Sequence, residues 1–548
     1  MRKNCPCPGF WVLLALTAAP WASLNAQPRL AVVIVVDQMP ADFVDRFAGD
    51  YGGGLQRLRE EGAIYLNARH DHAVTVTAAG HATIATGTFP SRHGIVGNEF
   101  WDRLAGEIVE AVRDPDSRLV GAEGRYGWSP VRLQRSAVGD WLKARSPASK
   151  VYGVSFKDRS AIFLSGLGSD GAYWYDERTG RFVTSSYYRD SLPGWVDAFN
   201  AAAPVEAFFG STWTTLLPDD RYGRVETAPG DGEQRHRYSE FPHRLGDPEQ
   251  RPDRRYYSSF RRTPFADQVM LEFARALIDN EDLGAGATPD LLLLGLAAAD
   301  YIGHRYGPWS DEVHDHFVRL DRYLGELFAE LDDRLGRDNY LVVLSSDHGV
   351  MPVPERLAEI GVDAARIHPS QLLEYVEPVV SRALERGLIS TLPTLRYEYG
   401  VVFDFGDAEV TDDQRERLAR LVADELERHS SVEDAFTYSE LLRGAPGNSP
   451  QLGGFQRSFH PDRSPDVVLL MRENHLLTDE HAGTSHGSPR DYDSLVPLIF
   501  WGPGIRAARH PEAVRTVDVA PTLASLLGLT MPDDLDGTNL AGDIGASE

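Results

Sequence analysis

The sequence predicts an α/β protein built on a mostly parallel central sheet with helices on both faces, and three observations carry this. First, continuous apolar, β-branched runs recur along the chain: Leu30–Val36, Val151–Phe156, Leu291–Leu296, Tyr340–Leu344, Val467–Leu470 and Val496–Phe500. Such runs are the pattern of strands buried on both faces. Second, helical periodicity lies between some of them. In the segment from Asp311 to Leu335, the residues Val313, Phe317, Leu320, Leu324, Leu327 and Leu331 recur every three or four positions. Strands alternating with helices imply a parallel sheet covered on both faces. Third, 548 residues with 42% hydrophobic and 25% charged side chains give enough material for a large core and exclude a fibrous or wholly disordered chain.

Each element has a local justification. The N-terminus reads as a secretory signal peptide over residues 1–26: Arg2 and Lys3 precede an apolar stretch, Phe10 to Ala19, too short to span a bilayer, and Ala26 closes a small-residue segment. Cys5 and Cys7 are the chain's cysteines, so the body at 27–548 is expected to hold no disulfide and no cysteine nucleophile. Periplasmic or secreted localisation is expected, without stable membrane insertion. Two stretches break the strand–helix alternation, near 183–265 (rich in Tyr, Arg, Pro and Asp) and near 353–465, which includes a strand-like Tyr397–Phe405. They are expected to be insertions or a cap beside the sheet. A net charge of −26 argues against nucleic acid or an anionic membrane as the main partner.

Ligands of a parallel sheet bind beyond the carboxyl ends of its strands. The polar residues just past each apolar run are therefore informative: Asp37, then Lys157 and Arg159, then Asp300 and His304, then Asp347 and His348, with His486 in a GTSHG segment. Mixed imidazole and carboxylate donors suit zinc, and six of them suit two metals sharing a nucleophile. A second signal is residues 74–98, where Thr77 precedes a small-residue helix expected over Ala78–Ala85. A hydroxyl at a helix N-terminus faces free N–H groups and the positive end of the dipole, a setting for an alkoxide or a phosphate oxygen. A helix cap is the alternative role for Thr77. Thr75 and Thr83 are competing hydroxyls. The amide of Asn98 is suited to donate to a substrate oxygen, or the residue serves a turn after Gly97. Lys157 and Arg159, two apart on an expected strand, would share a face and suit a doubly charged anion. The chain has four lysines against 51 arginines, which singles out Lys157. His70, His72 and His93 are read as structural, and His81, one turn beyond Thr77, as structural support or as a residue that orients the site.

With these residues together, the chain resembles the alkaline phosphatase superfamily, and within it the PafA-type monomeric, phosphate-irrepressible alkaline phosphatases with a threonine nucleophile. The resemblance runs from Asp37 to the C-terminal VDVAPTLASLLGL and DGTNL. It implies an alkaline-phosphatase-like core, one zinc held by Asp300, His304 and His486, and a second held by Asp37, Asp347 and His348. It also implies that Thr77 bridges the metals as nucleophile while Asn98, Lys157 and Arg159 bind the non-bridging oxygens. The function implied is hydrolysis of small phosphate monoesters by an exported monomer through a phosphothreonine. The alternatives are a phosphodiesterase or nucleotide pyrophosphatase on the same site, and an inactive exported metal-binding protein. One departure is TAAGH, where related sequences often carry proline before the glycine and this chain has Ala79.

Overall fold

The strand Leu30–Val36 lies at the middle of the main sheet, and its side chains show why the run is unbroken. Leu30, Val32, Ile34 and Val36 enter the hydrophobic core on one face, while Ala31, Val33 and Val35 enter the core on the other. In this computed structural model, which describes residues 27–123, 127–223, 240–443 and 451–545, the strand pairs in parallel with Asp290–Leu296 on one side and Tyr340–Ser345 on the other. Val151–Ser155 and Gly171–Asp176 continue the parallel set. The sheet has eleven strands. Towards one edge the pairing is antiparallel: Leu495–Trp501 runs against Tyr340–Ser345 and Ala63–Arg69 against Leu495–Trp501. The expected signal segment, with Cys5 and Cys7, lies outside the described residues.

The helix Asp311–Leu335 covers one face, and all six of its periodic apolar residues are buried there. Val519–Leu526 and the end of Thr77–Thr86 cover the other. The register brings Val35 level with Gly295 and Ser345, and Gly295 level with Ser155. Four strands therefore end together, and the residues after them share one rim.

Two sequence expectations need correction. Val467–Met471 is not a strand of the main sheet. It pairs with Val401–Asp404 and Val432–Thr437 in a separate four-stranded sheet completed by Thr394–Tyr397. That sheet has its own core with the helices Pro369–Glu385 and Asp412–Leu426. An apolar run reports burial and not which sheet buries it. Lys157 and Arg159 do not share a strand face either. The strand stops at Ser155, and a helix runs over Asp158–Ser165. Lys157 is its N-cap residue and Arg159 lies in its first turn.

Part of the other irregular stretch is pinned to the long helix by buried acids. Asp315 accepts hydrogen bonds from Trp213 Nε1, Leu216 N and Tyr222 Oη, each at 2.6 Å. Among the described residues, no helix is long and apolar enough to cross a membrane.

Candidate active site

Thr77 opens the helix Thr77–Thr86 as its first residue. Val76 holds the cap position and its side chain makes no capping hydrogen bond. Thr77 is therefore not a cap, and its hydroxyl stands at the free N–H end. The helix starts one residue earlier than the sequence predicts. Gly80 sets how close this helix comes to the rim: a Cβ there would lie 2.3 Å from the Asp347 carbonyl oxygen and 2.8 Å from its Cβ. Neither is a mobile side-chain end. Gly80→Ala is expected to destabilise the fold by about 1–3 kcal/mol, as overpacking does. It should also cut turnover by moving Thr77 away from Asp347, a change read by thermal melting and initial rates together.

The rim residues converge. Lys157 Nζ lies 3.2 Å from Thr77 Oγ1, 2.6 Å from Asp300 Oδ2 and 2.7 Å from Asp37 Oδ2. His304 Nε2 and His486 Nε2 stand 3.0 and 3.5 Å from Asp300 Oδ1. His348 Nε2 is 3.4 Å from both Asp37 Oδ1 and Asp347 Oδ2. Thr77, Asp37, Lys157, Asp300, Asp347 and His348 are all at most 3% exposed. The Asn98 Oδ1 accepts from Ala78 N at 2.9 Å, which aligns its amide beside the first turn. Arg159 lines the same cavity as Lys157 and Tyr301. Its nearest carboxylate contact, Asp158 Oδ1, is 3.9 Å away, so its guanidinium is only loosely paired.

Three imidazoles share one device. The Nδ1 of His304 faces Thr484 O at 2.7 Å, that of His486 faces Thr75 O at 2.8 Å, and that of His348 faces Gly349 O at 2.9 Å. A carbonyl only accepts, so each Nδ1 carries a proton and each Nε2 is the atom turned to the carboxylates, available to a metal as a lone pair when the ring is neutral. Burial pushes His348 and His486 below the ordinary histidine range, which keeps them neutral. Burial also opposes the charge on Asp300, yet His304 and Lys157 hold it well below the usual carboxylate range. Burial and the neighbouring Asp347 push Asp37 well above that range.

These residues fit metal binding. Oδ1 of Asp37, Oδ2 of Asp347 and Nε2 of His348 are buried without a hydrogen-bond partner, while Oδ2 of Asp37 faces the Lys157 ammonium at 2.7 Å. Unpaired buried acceptors on this scale are costly unless a cation satisfies them. Donor atoms cluster as Asp300, His304 and His486, as Asp37, Asp300 and His348, and as Asp37, His81 and Asp347.

All ten residues singled out from the sequence lie at this rim or on the walls of the cavities that open from it. The competing hydroxyls are otherwise engaged: Thr75 Oγ1 donates to Ser488 O, and Thr83 Oγ1 meets His93 Nε2. His81 has more than a packing role. Its Nδ1 lies 2.8 Å from Thr77 O and 3.2 Å from Asp347 Oδ2, joining the helix to the rim. Gln38 belongs to the site although the sequence does not single it out. Its backbone N donates to Asp347 Oδ1 at 3.1 Å and its Nε2 to Asp300 Oδ1 at 2.8 Å. Adjacency to Asp37 is the one available signal. Tyr399 is a second such residue; its hydroxyl accepts from Asn98 N at 3.3 Å, a contact across 301 positions with no local signature.

A parallel sheet whose strand ends carry Asp37, Asp300 and Asp347, facing a threonine at a helix start, matches a known class. The family model of type I phosphodiesterase / nucleotide pyrophosphatase matches residues 31–493, and the chain belongs to that family. Within it, the expected likeness to PafA-type alkaline phosphatases is borne out. The chain is 32% identical to alkaline phosphatase PafA of Elizabethkingia meningoseptica, covering 98% of each chain. It is 32% identical to alkaline phosphatase PhoV of Synechococcus elongatus, covering 92% of this chain and 91% of that one. The crystal structure of wild-type PafA matches with a TM-score of 0.82 at 31% identity, covering 95% of this chain and 99% of that one. A PafA variant of known structure carries substitutions at a threonine, an asparagine, a lysine and an arginine.

Proposed function

We propose that the chain is an exported, zinc-dependent alkaline phosphatase, a phosphoric monoester hydrolase that works through a phosphothreonine on Thr77. The observation that carries the reading is the placement of Lys157: a buried ammonium 3.2 Å from the Thr77 hydroxyl, at a helix N-terminus, with Arg159 on the same cavity wall. A monoester presents a dianion, and this pair adds two cations where that charge is held. Support comes also from the PafA variant, whose four substituted residue types match Thr77, Asn98, Lys157 and Arg159 in order and, within each pair, in separation.

The chain's own groups divide the work. Asp300, His304 and His486 would hold one metal, and Asp37, Asp347 and His348 the other. Zinc bound there supplies Lewis acidity at the Thr77 hydroxyl and at the departing ester oxygen. Thr77 Oγ1 attacks phosphorus in line, the P–O ester bond breaks, and the alcohol leaves with a proton. Water then cleaves the phosphothreonine, releasing phosphate and restoring the hydroxyl. Asn98, Lys157 and Arg159 hold the non-bridging oxygens, so catalysis is positioning and charge stabilisation. The enzyme acts as a monomer on small esters, after removal of residues 1–26.

The test compares a monoester with a diester. Charge-assisted contacts of this kind contribute roughly 1.5–3 kcal/mol each, or about ten- to a hundredfold in rate. Lys157→Ala and Arg159→Ala should each slow monoester hydrolysis by that factor and diester hydrolysis far less. Equal losses on both substrates, or a preference of the unmodified enzyme for diesters, would replace this reading with the phosphodiesterase one suggested by the family description.

A further inference from the structure

Two cavities open from the reacting centre, and their charge differs. One, of about 320 Å³, is lined by four cations, Lys157, Arg159, Arg178 and Arg261, against three carboxylates, Asp158, Asp176 and Glu177. The other, of about 370 Å³, starts at Asn98, His304 and His486 and runs beneath the second sheet. No lysine or arginine lines it among the described residues, while three carboxylates do: Glu398, Asp479 and Asp493. Asp493 is 1% exposed. Its Oδ2 accepts from Ser488 N and Oγ at 3.0 and 2.6 Å, and its Oδ1 is buried with no partner. Burial pushes the carboxyls of Asp493 and Glu398 up to about 7, Glu398 with help from Glu99 and Asp479. Tyr397, Tyr399 and Tyr492 add aromatic rings to the same walls.

In-line attack by Thr77 places the ester substituent on the far side of phosphorus from that hydroxyl, and a substituent passing His304 and His486 enters this second cavity. An anionic alcohol would meet three carboxylates on these walls, with no lysine or arginine beside them among the described residues. A positively charged one would be attracted by Glu398, Asp479 and Asp493 and stand among tyrosine rings, which attract cations. We propose that this cavity seats the alcohol portion of the ester and selects alcohols bearing an ammonium group, so that the preferred substrates are phosphate monoesters of amino alcohols. The proposal rests on the phosphomonoesterase reading and deepens it. The substrate is then complementary at both ends, dianionic towards Lys157 and Arg159 and cationic towards Glu398 and Asp493.

The experiment measures kcat/KM of the full chain for three esters of similar size: 2-aminoethyl, propyl and 2-carboxyethyl phosphate. The ammonium also makes its alcohol a better leaving group, so the quantity read is the change in ratio on substitution. Glu398→Gln should lower the aminoethyl-to-propyl ratio by roughly three- to tenfold and raise the carboxyethyl-to-propyl ratio. Asp493→Asn should do the same. Because Asp493 also braces the His486 loop, salt provides a check on the unmodified enzyme: added sodium chloride should lower the aminoethyl-to-propyl ratio. Ratios unchanged by Glu398→Gln and by salt would overturn the proposal while leaving the phosphatase reading intact. No turnover of any of the three, nor of p-nitrophenyl phosphate, would overturn the phosphatase reading and this proposal with it.

Discussion

Thr77→Ala should lower kcat for phosphate monoesters by at least about three orders of magnitude, the scale expected when a covalent nucleophile is removed. The substitution takes away one buried hydroxyl from the first residue of Thr77–Thr86 and leaves the backbone contacts of that helix in place. The carboxylates and imidazoles of the rim do not depend on it. Metal content and melting temperature should therefore stay near those of the unmodified protein, which separates a chemical loss from a folding one. Thr77→Ser keeps the hydroxyl beside Lys157 and should retain far more activity. Peptide mapping of acid-quenched enzyme should find the phosphoryl group on residue 77. Finding it on Thr75 would contradict the geometry, since that hydroxyl is turned to Ser488 O.

Removal of metal should abolish activity altogether. Without a cation the rim confronts Asp37, Asp300 and Asp347 across a few ångströms with Lys157 as their shared counter-charge. Zinc should restore activity better than magnesium, because half of the donors are imidazoles and magnesium prefers an all-oxygen octahedron. Elemental analysis of active enzyme should give about two zinc ions per chain. Zinc should also raise the melting temperature in proportion to the logarithm of its concentration, as any ligand confined to the folded state does. Full activity in metal-free protein would sink the metal assignment.

Much of this site is legible from sequence because a buried parallel strand announces both itself and its end. Leu30–Val36 is apolar on both faces, so the first polar residue after it, Asp37, falls on the rim. The same logic locates Asp300 and the Asp347–His348 pair. It fails for the side-chain direction of Lys157 and Arg159, because Phe156 extends the apolar run past the strand's true end and Asp158 then starts a helix. It also fails for Val467–Met471, whose composition suits either sheet. Gln38 and Tyr399 lie beyond reach for a different reason: their importance comes from partners 262 and 301 positions away. No spacing rule reports such pairs.

The position of Leu30–Val36 also has a kinetic side. Both of its neighbours in the sheet come from the stretch between residues 290 and 345, so a chain emerging N-terminus first carries this strand unpaired until more than half of the sequence is available. His486 arrives later still, and the carbonyl that orients it belongs to Thr75, 411 positions earlier. Contacts of such long range make folding slow and leave strand edges open to misassociation. They also make the rim an all-or-none construction: a truncated or half-folded chain has isolated carboxylates but no nest for a divalent ion. The rim and its nest for a divalent ion are therefore complete only once the chain through His486 is in place.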